Sequence, residues 1–167
     1  LKRSEQAMRE ANLFTENIFN TIRESLLVLD PALKVVSANR AFYSTFGVTP
    51  DETIDSLVFE LGNHQWDIPR LRELLQAVLA GKETSENFEV QHYFPDIGEK
   101  IMSLNAKRIF SAEYHNSNFI LLAIEDITER RRLEVKIRHN GHLAALGLAI
   151  AQISHEIRNP LNAMYTT

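Results

Sequence analysis

The residues best suited to chemistry lie together in Ser154-His155-Glu156-Ile157-Arg158-Asn159-Pro160-Leu161. Ile150, Ile153 and Ile157 recur at helical spacing, so the segment reads as a helix with one apolar seam. With Ile150 and Ile157 at heptad position a and Ile153 at d, His155 falls at f, on the side turned away from the seam. Arg158 and Asn159 follow three and four residues later and share its face, while Glu156 sits at the flank. Pro160 has no N–H to give to the Glu156 carbonyl, so a bend is expected one turn beyond the histidine.

An exposed, neutral imidazole is a nucleophile for phosphoryl groups. A carboxylate beside it can hold one ring N–H and leave the lone pair of the other nitrogen free. A side-chain amide one turn away can position a water for the reverse hydrolysis. By spacing alone the same residues also describe an ordinary surface pair on a helix. Two other chemistries fail. A His-Glu-x-x-His zinc site needs a second imidazole where this chain has Asn159. A serine hydrolase needs a Gly-x-Ser-x-Gly elbow, which is absent, and Ser154 lies on a different helix face from His155.

The elements that must position this segment follow from changes of period along the chain. Residues 1–24 read as a helix whose Met8, Ala11, Thr15, Ile18 and Ile22 keep a 3–4 spacing, suited to pairing with a second copy or to packing on its own domain. Ser25–Asp30 and Leu33–Ser37 form a hairpin about Asp30-Pro31-Ala32. Asn39–Phe46 is a short helix capped by Asn39 and stopped at Gly47. Thr49-Pro50-Asp51-Glu52 is a helix start. Asp67–Ala80 is a helix capped by Asp67, with Leu71, Leu74, Leu75, Val78 and Leu79 as its stripe and Gly81 as its end.

Three alternating strands follow, at Asn87–Phe94, Lys100–Phe110 and Phe119–Ile127, with a polar loop at Ser111–Ser117. The order predicts an α+β fold, a five-stranded antiparallel sheet with short helices on one face. From Thr128 the pattern turns helical. Leu133 and Ile137 lie on one seam, and Leu143, Leu146, Ile150, Ile153, Ile157 and Met164 on another. The frames slip at Asn140-Gly141, as a signal-transmitting joint or a merely loose one would require.

Composition narrows the classes. The chain has 167 residues, 44% hydrophobic and 24% charged, enough for one core plus extra helix. It has no cysteine, which excludes a disulfide scaffold, cysteine-ligated metal and a thiol nucleophile, and fits a reducing compartment. A net charge of −4 argues against nucleic acid. No apolar run reaches the ~20 residues of a membrane span. The first residues are polar and lack Met, so a segment of a longer cytoplasmic protein is expected, with any membrane anchor upstream left open.

His155 to Leu161, preceded by Leu143-Ala144-Ala145-Leu146-Gly147, closely resembles the H-box of sensor histidine kinases. Glu125-Asp126-Ile127-Thr128-Glu129-Arg130 resembles the end of a PAS sensor domain, where Asp and Thr tie the last strand to the outgoing helix. Thr128 can cap that helix and Asp126 can pair with a nearby arginine. The resemblance implies a PAS domain at 25–127, flanked by the 1–24 helix and a coiled-coil linker at 128–142. Residues 143–167 would be the first helix of a dimerisation and phosphotransfer domain. His155 would be the phosphoacceptor, Glu156 its acid–base partner and Asn159 the residue supporting phosphatase activity, with Asp126 and Thr128 as relay residues.

The same resemblance implies a homodimer through the helices and a response-regulator receiver domain as partner. ATP and Mg2+ would serve the longer kinase, since no glycine-rich nucleotide loop is present and the segment alone is not expected to phosphorylate itself. A PAS ligand is left open. Without cysteine a covalent flavin adduct is excluded, though not bound flavin. His64, just before the Asp67–Ala80 helix, is the nearest candidate for a haem ligand and reads better as a loop histidine beside Trp66. Phe42, Phe46, Trp66, Phe88, Leu104, Phe119 and Leu121 are candidate core or pocket residues, core being favoured. The alternatives are a PAS binding or dimerisation module without kinase activity, and a haem or flavin redox sensor.

Overall fold

The computed structural model describes residues 2–82, 88–111 and 117–165. The chain divides into two units, Leu1–Ile127 and Thr128–Thr167. The first opens with α1 (Lys2–Thr21), β1 (Ser25–Leu29) and β2 (Val35–Ala38). No residue of α1 is buried, and only Phe19 and Asn20 are half-buried. The hairpin turn is held by Asp30, whose Oδ1 accepts from the N–H groups of Ala32 and Lys34, both at 2.9 Å. The second strand starts at Val35 rather than the expected Leu33. Leu33 has φ 64°, a left-handed backbone that cannot enter a ladder.

Helix α2 (Arg40–Phe46) begins and ends as its sequence predicts. Asn39 Oδ1 accepts from the Phe42 N–H at 3.1 Å, and Gly47 at φ 63° closes it. At α3 (Pro50–Thr53) the Glu52 carboxylate accepts from the Thr49 N–H at 3.1 Å and hydroxyl at 3.0 Å. A 3-10 turn (Val58–Glu60) and α4 (Leu61–His64) lead to α5 (Pro69–Leu79). The expected Asp67 cap is corrected here. Pro69 takes the first helical position and holds Ile68 extended at φ −98°, ψ 120°, so the helix starts two residues late and Asp67 lies outside it. Leu71, Leu74, Leu75 and Val78 are buried as predicted, whereas Leu79 is exposed.

Strands β3 (Phe88–Phe94), β4 (Gly98–Ser111) and β5 (Ser117–Asp126) complete one sheet in the order β2-β1-β5-β4-β3. Every neighbouring pair is antiparallel. Of the expected loop Ser111–Ser117, residues 112–116 lie outside the described residues. The register puts Leu27 opposite Leu122, Leu29 opposite Ile120 and Ser25 opposite Ile124. The even positions of β5 therefore join the core with Leu104, Met102, Val90 and the stripe of α5. Phe119 and Leu121 take the alternate positions, outside that cluster; Phe119 is nonetheless buried, as its sequence predicts, whereas Leu121 is half-buried. The period of two allows one set or the other, and pairing with β1 selects the even one.

The second unit is one helix, α6 (Thr128–Tyr165), which runs on through Asn140-Gly141 and Pro160. Among its side-chain pairs are Glu129 with Arg132 at 3.3 Å and Arg131 with Glu134 at 2.7 Å. Leu133, Val135, Ile137, Leu143, Leu146 and Leu148 are all exposed.

Candidate functional site

Helices α2 and α3, the lip formed by α4 and the β3–β4 turn enclose a cleft of about 490 Å3 in the first unit. Its floor is aromatic. Phe46 stands 5.0 Å from Phe42, 4.8 Å from Trp66 and 5.7 Å from Phe94, centroid to centroid. Phe42 and Trp66 are 0% and 2% exposed, so these rings close on one another, while Phe46 is half-buried. The candidates Phe42, Trp66 and Leu104 are thus core. Glu52, Glu60 and Asp96 also line the cleft, and among the described residues no basic side chain does.

The lip is strained. Gly62, Asn63 and His64 have φ of 58°, 59° and 67°, three left-handed residues in succession. Each L residue held there costs roughly 1–2 kcal/mol, which glycine escapes. Asn63 lines the cleft, whereas His64 is exposed and does not. His92 packs edge-on against Phe94 at 4.8 Å. Beyond the lip, the hydrogen bond and charge of Arg72 hold the Asp67 carboxyl below its ordinary value, and burial raises the Tyr43 hydroxyl. Among the described residues, no group of three or more histidines and carboxylates is placed to hold a metal ion.

Sequence reasoning read Asn39 only as a cap. It is fully buried, and its side chain joins three elements. Oδ1 accepts from the N–H of Leu26 in β1 at 2.9 Å as well as from Phe42. Nδ2 faces the carbonyls of Glu24 at 2.8 Å, Phe19 at 3.2 Å and Ile22 at 3.4 Å, where the chain leaves α1. The N–H of Arg40 donates in return to Asn20 Oδ1 at 3.0 Å. The available signal was an asparagine followed by a helix and preceded by a helix end, which a cap alone also satisfies.

Where β5 ends, Asp126 pairs with Lys100 at 3.2 Å, and the Ile127 N–H donates to the Ile101 carbonyl at 2.9 Å. Thr128 is buried and is the first residue of α6 itself, one position later than a cap. Further along, His155, Glu156 and Asn159 lie on continuous helix, with positions 155 and 159 about one turn apart. Their side chains lie outside the described residues. No described helix is long and apolar enough to cross a membrane.

Comparison with known proteins agrees with this architecture. Residues 19–132 match the family described as PAS fold. The chain is 27% identical to Sporulation kinase E of Bacillus subtilis over 165 residues, covering 98% of this chain and 21% of that protein. It is 30% identical to the sensory histidine kinase/phosphatase NtrB of Salmonella typhimurium over 149 residues, covering 88% of this chain and 39% of that one. It thus spans between about a fifth and two fifths of the length of these relatives. Among solved structures it is similar to the PAS domain of an HTR-like protein from Haloarcula marismortui, at 20% identity and a TM-score of 0.58. That likeness covers 76% of this chain and all of the other. It is also similar to the histidine kinase ThkA, solved with the response regulator protein TrrA, at 20% identity and a TM-score of 0.56. There 82% of this chain and 38% of that one are covered. A five-stranded antiparallel sheet with helices folded over an aromatic core, matched over residues 19–132, makes this chain a member of the PAS fold family.

Proposed function

We propose that this chain is the sensing and phosphoacceptor segment of a dimeric two-component histidine kinase of the cytoplasm. The observation that carries the reading is that likeness to named histidine kinases extends over 88–98% of the chain, beyond the PAS unit and into α6. In this reading the neutral imidazole of His155 attacks the terminal phosphoryl group of ATP and ADP departs. Glu156 holds the other ring nitrogen in the correct tautomer and takes up its proton. The phosphoryl group then passes to an aspartate of a response-regulator receiver domain. ATP and Mg2+ are held by other parts of the longer protein. Asn159, one turn on, orients the water that removes phosphate from the partner. The pairing of a similar kinase with a response regulator, and the name kinase/phosphatase on another, support these two steps.

The PAS unit supplies the decision. Its cleft or core takes one of two arrangements, Asp126 and Thr128 carry the change to the outgoing helix, and access to His155 changes with it. Exposed Leu133, Ile137, Leu143 and Leu146 favour pairing with a second copy, since a lone helix would leave them in water. The test uses the full-length protein with labelled ATP. Acid-labile, base-stable label is expected on the wild type and absent from His155→Gln. Equal labelling of the two would overturn the assignment.

A further inference from the structure

We infer that Asn39 and Asn20 form a reciprocal clasp coupling the cleft-lining helix α2 to the end of α1, so that a change at either is felt at the other. The coupling stands whether or not His155 carries phosphate. Helix α1 is 20 residues, about 30 Å long. With none of its residues buried, it is a lever held to the domain at one end. That end is where the two asparagines meet.

The carbonyls of a helix's last turn and of the residues just beyond lack helical partners and must find others. Here the Asn39 amide supplies them, and it is oversubscribed. Its two N–H bonds face three carbonyls, those of Glu24, Phe19 and Ile22. One acceptor always waits, so the amide can exchange partners without being left bare. Its orientation is fixed, because a flipped Oδ1 would oppose three carbonyl oxygens and strand the N–H groups of Leu26 and Phe42. These are the ingredients of a two-state joint: a buried, satisfied anchor on the α2 side and interchangeable partners on the α1 side.

The cleft reaches this joint directly. Phe42 and Phe46 line it and belong to α2, which spans only seven residues from Arg40. So short a helix moves as a body. A shift of Phe46 is therefore delivered to Asn39 at the cap, and to Asn20 through the Arg40 N–H.

The test is amide hydrogen exchange on the 167-residue chain as wild type, Asn20→Ala, Phe46→Leu and the double variant. Phe46→Leu is expected to speed exchange in residues 18–24 by about threefold or more, with residues 119–124 of β5 unchanged. In the Asn20→Ala background it should add nothing at 18–24 while still loosening α2. An equal effect of Phe46→Leu in both backgrounds, no effect at 18–24, or a matching rise in β5 would each overturn the clasp. Asn39→Asp sets a carboxylate against the three carbonyls and should release residues 18–24 about tenfold. Should that variant not fold, the Asn20 and Phe46 cycle decides alone.

Discussion

The two units of this chain treat apolar side chains in opposite ways. In the first, Leu27, Leu29, Leu104, Ile120 and Leu122 are wholly buried, and helices and sheet share one core. In the second, Leu133, Val135, Ile137, Leu143, Leu146 and Leu148 lie open along one helix. Outside α1, whose Met8, Leu13, Phe14 and Ile18 are exposed, the first unit buries most of its apolar side chains and keeps its specificity in local devices: caps, a strained lip, a buried amide. The long helix instead carries a row of apolar side chains open to water along its described length.

Substitution can break that contrast. The largest expected effect is in the core: Leu122→Ala should cost about 2–5 kcal/mol. It is measured by urea unfolding followed through Trp66, the only tryptophan and itself a core residue. Leu143→Ala in α6 should leave that transition within about 0.5 kcal/mol while weakening self-association in sedimentation. Equal losses from the two would dissolve the distinction. A smaller effect of opposite sign sharpens it. His64→Gly removes a left-handed L residue from the lip and should stabilise the PAS unit by about 0.5–1 kcal/mol after the entropy of glycine is counted. The same replacement at Arg138, in an exposed helix, should destabilise α6 by a similar amount, roughly 0.5–1 kcal/mol. A loss at both sites would mean that the lip carries no strain.

The smallest effect concerns Asp67. Its folded pKa is lowered, chiefly by the hydrogen bond from Arg72. Such a group contributes stability that is present above its unfolded value and is lost as pH falls through the folded value. Asp67→Asn should therefore trail the wild type near neutral pH and converge with it in strong acid. Both side chains of the pair are exposed, so the gap should be slight and should shrink in salt. A gap that widened toward acid would reverse the sign and rule the pair out as a source of stability.

Much of the PAS unit was legible because its signals are local. Asn39 with Gly47, and Thr49 with Glu52, each state a helix end within a few residues. Alternation in β3 and β4 states which face is inward. What misled were positions where two local rules compete. Asp67 is a good cap, but Pro69 dictates where the helix opens. Leu33 is apolar enough for the second strand, but its left-handed backbone at φ 64° delays that strand to Val35. The left-handed run at Gly62-Asn63-His64 carries only a weak sequence signature, since glycine, asparagine and histidine enter that region more readily than other residues yet are common elsewhere. The partners of Asn39 lie up to 20 residues away, beyond the reach of any short pattern. The segment around His155 suggests chemistry because its residues are consecutive, and its side chains lie outside the described residues.

The pairing of Ser25 with Ile124 has a consequence for how such chains are put together. The polypeptide arrives at the sheet and quits it on adjacent strands, only about 5 Å apart. The whole sensory body is then a detour hung from one point of the backbone. Excising it, or exchanging it for another of the same build, would leave two ends already side by side, so the domain can be replaced as one cassette without re-threading the flanking chain.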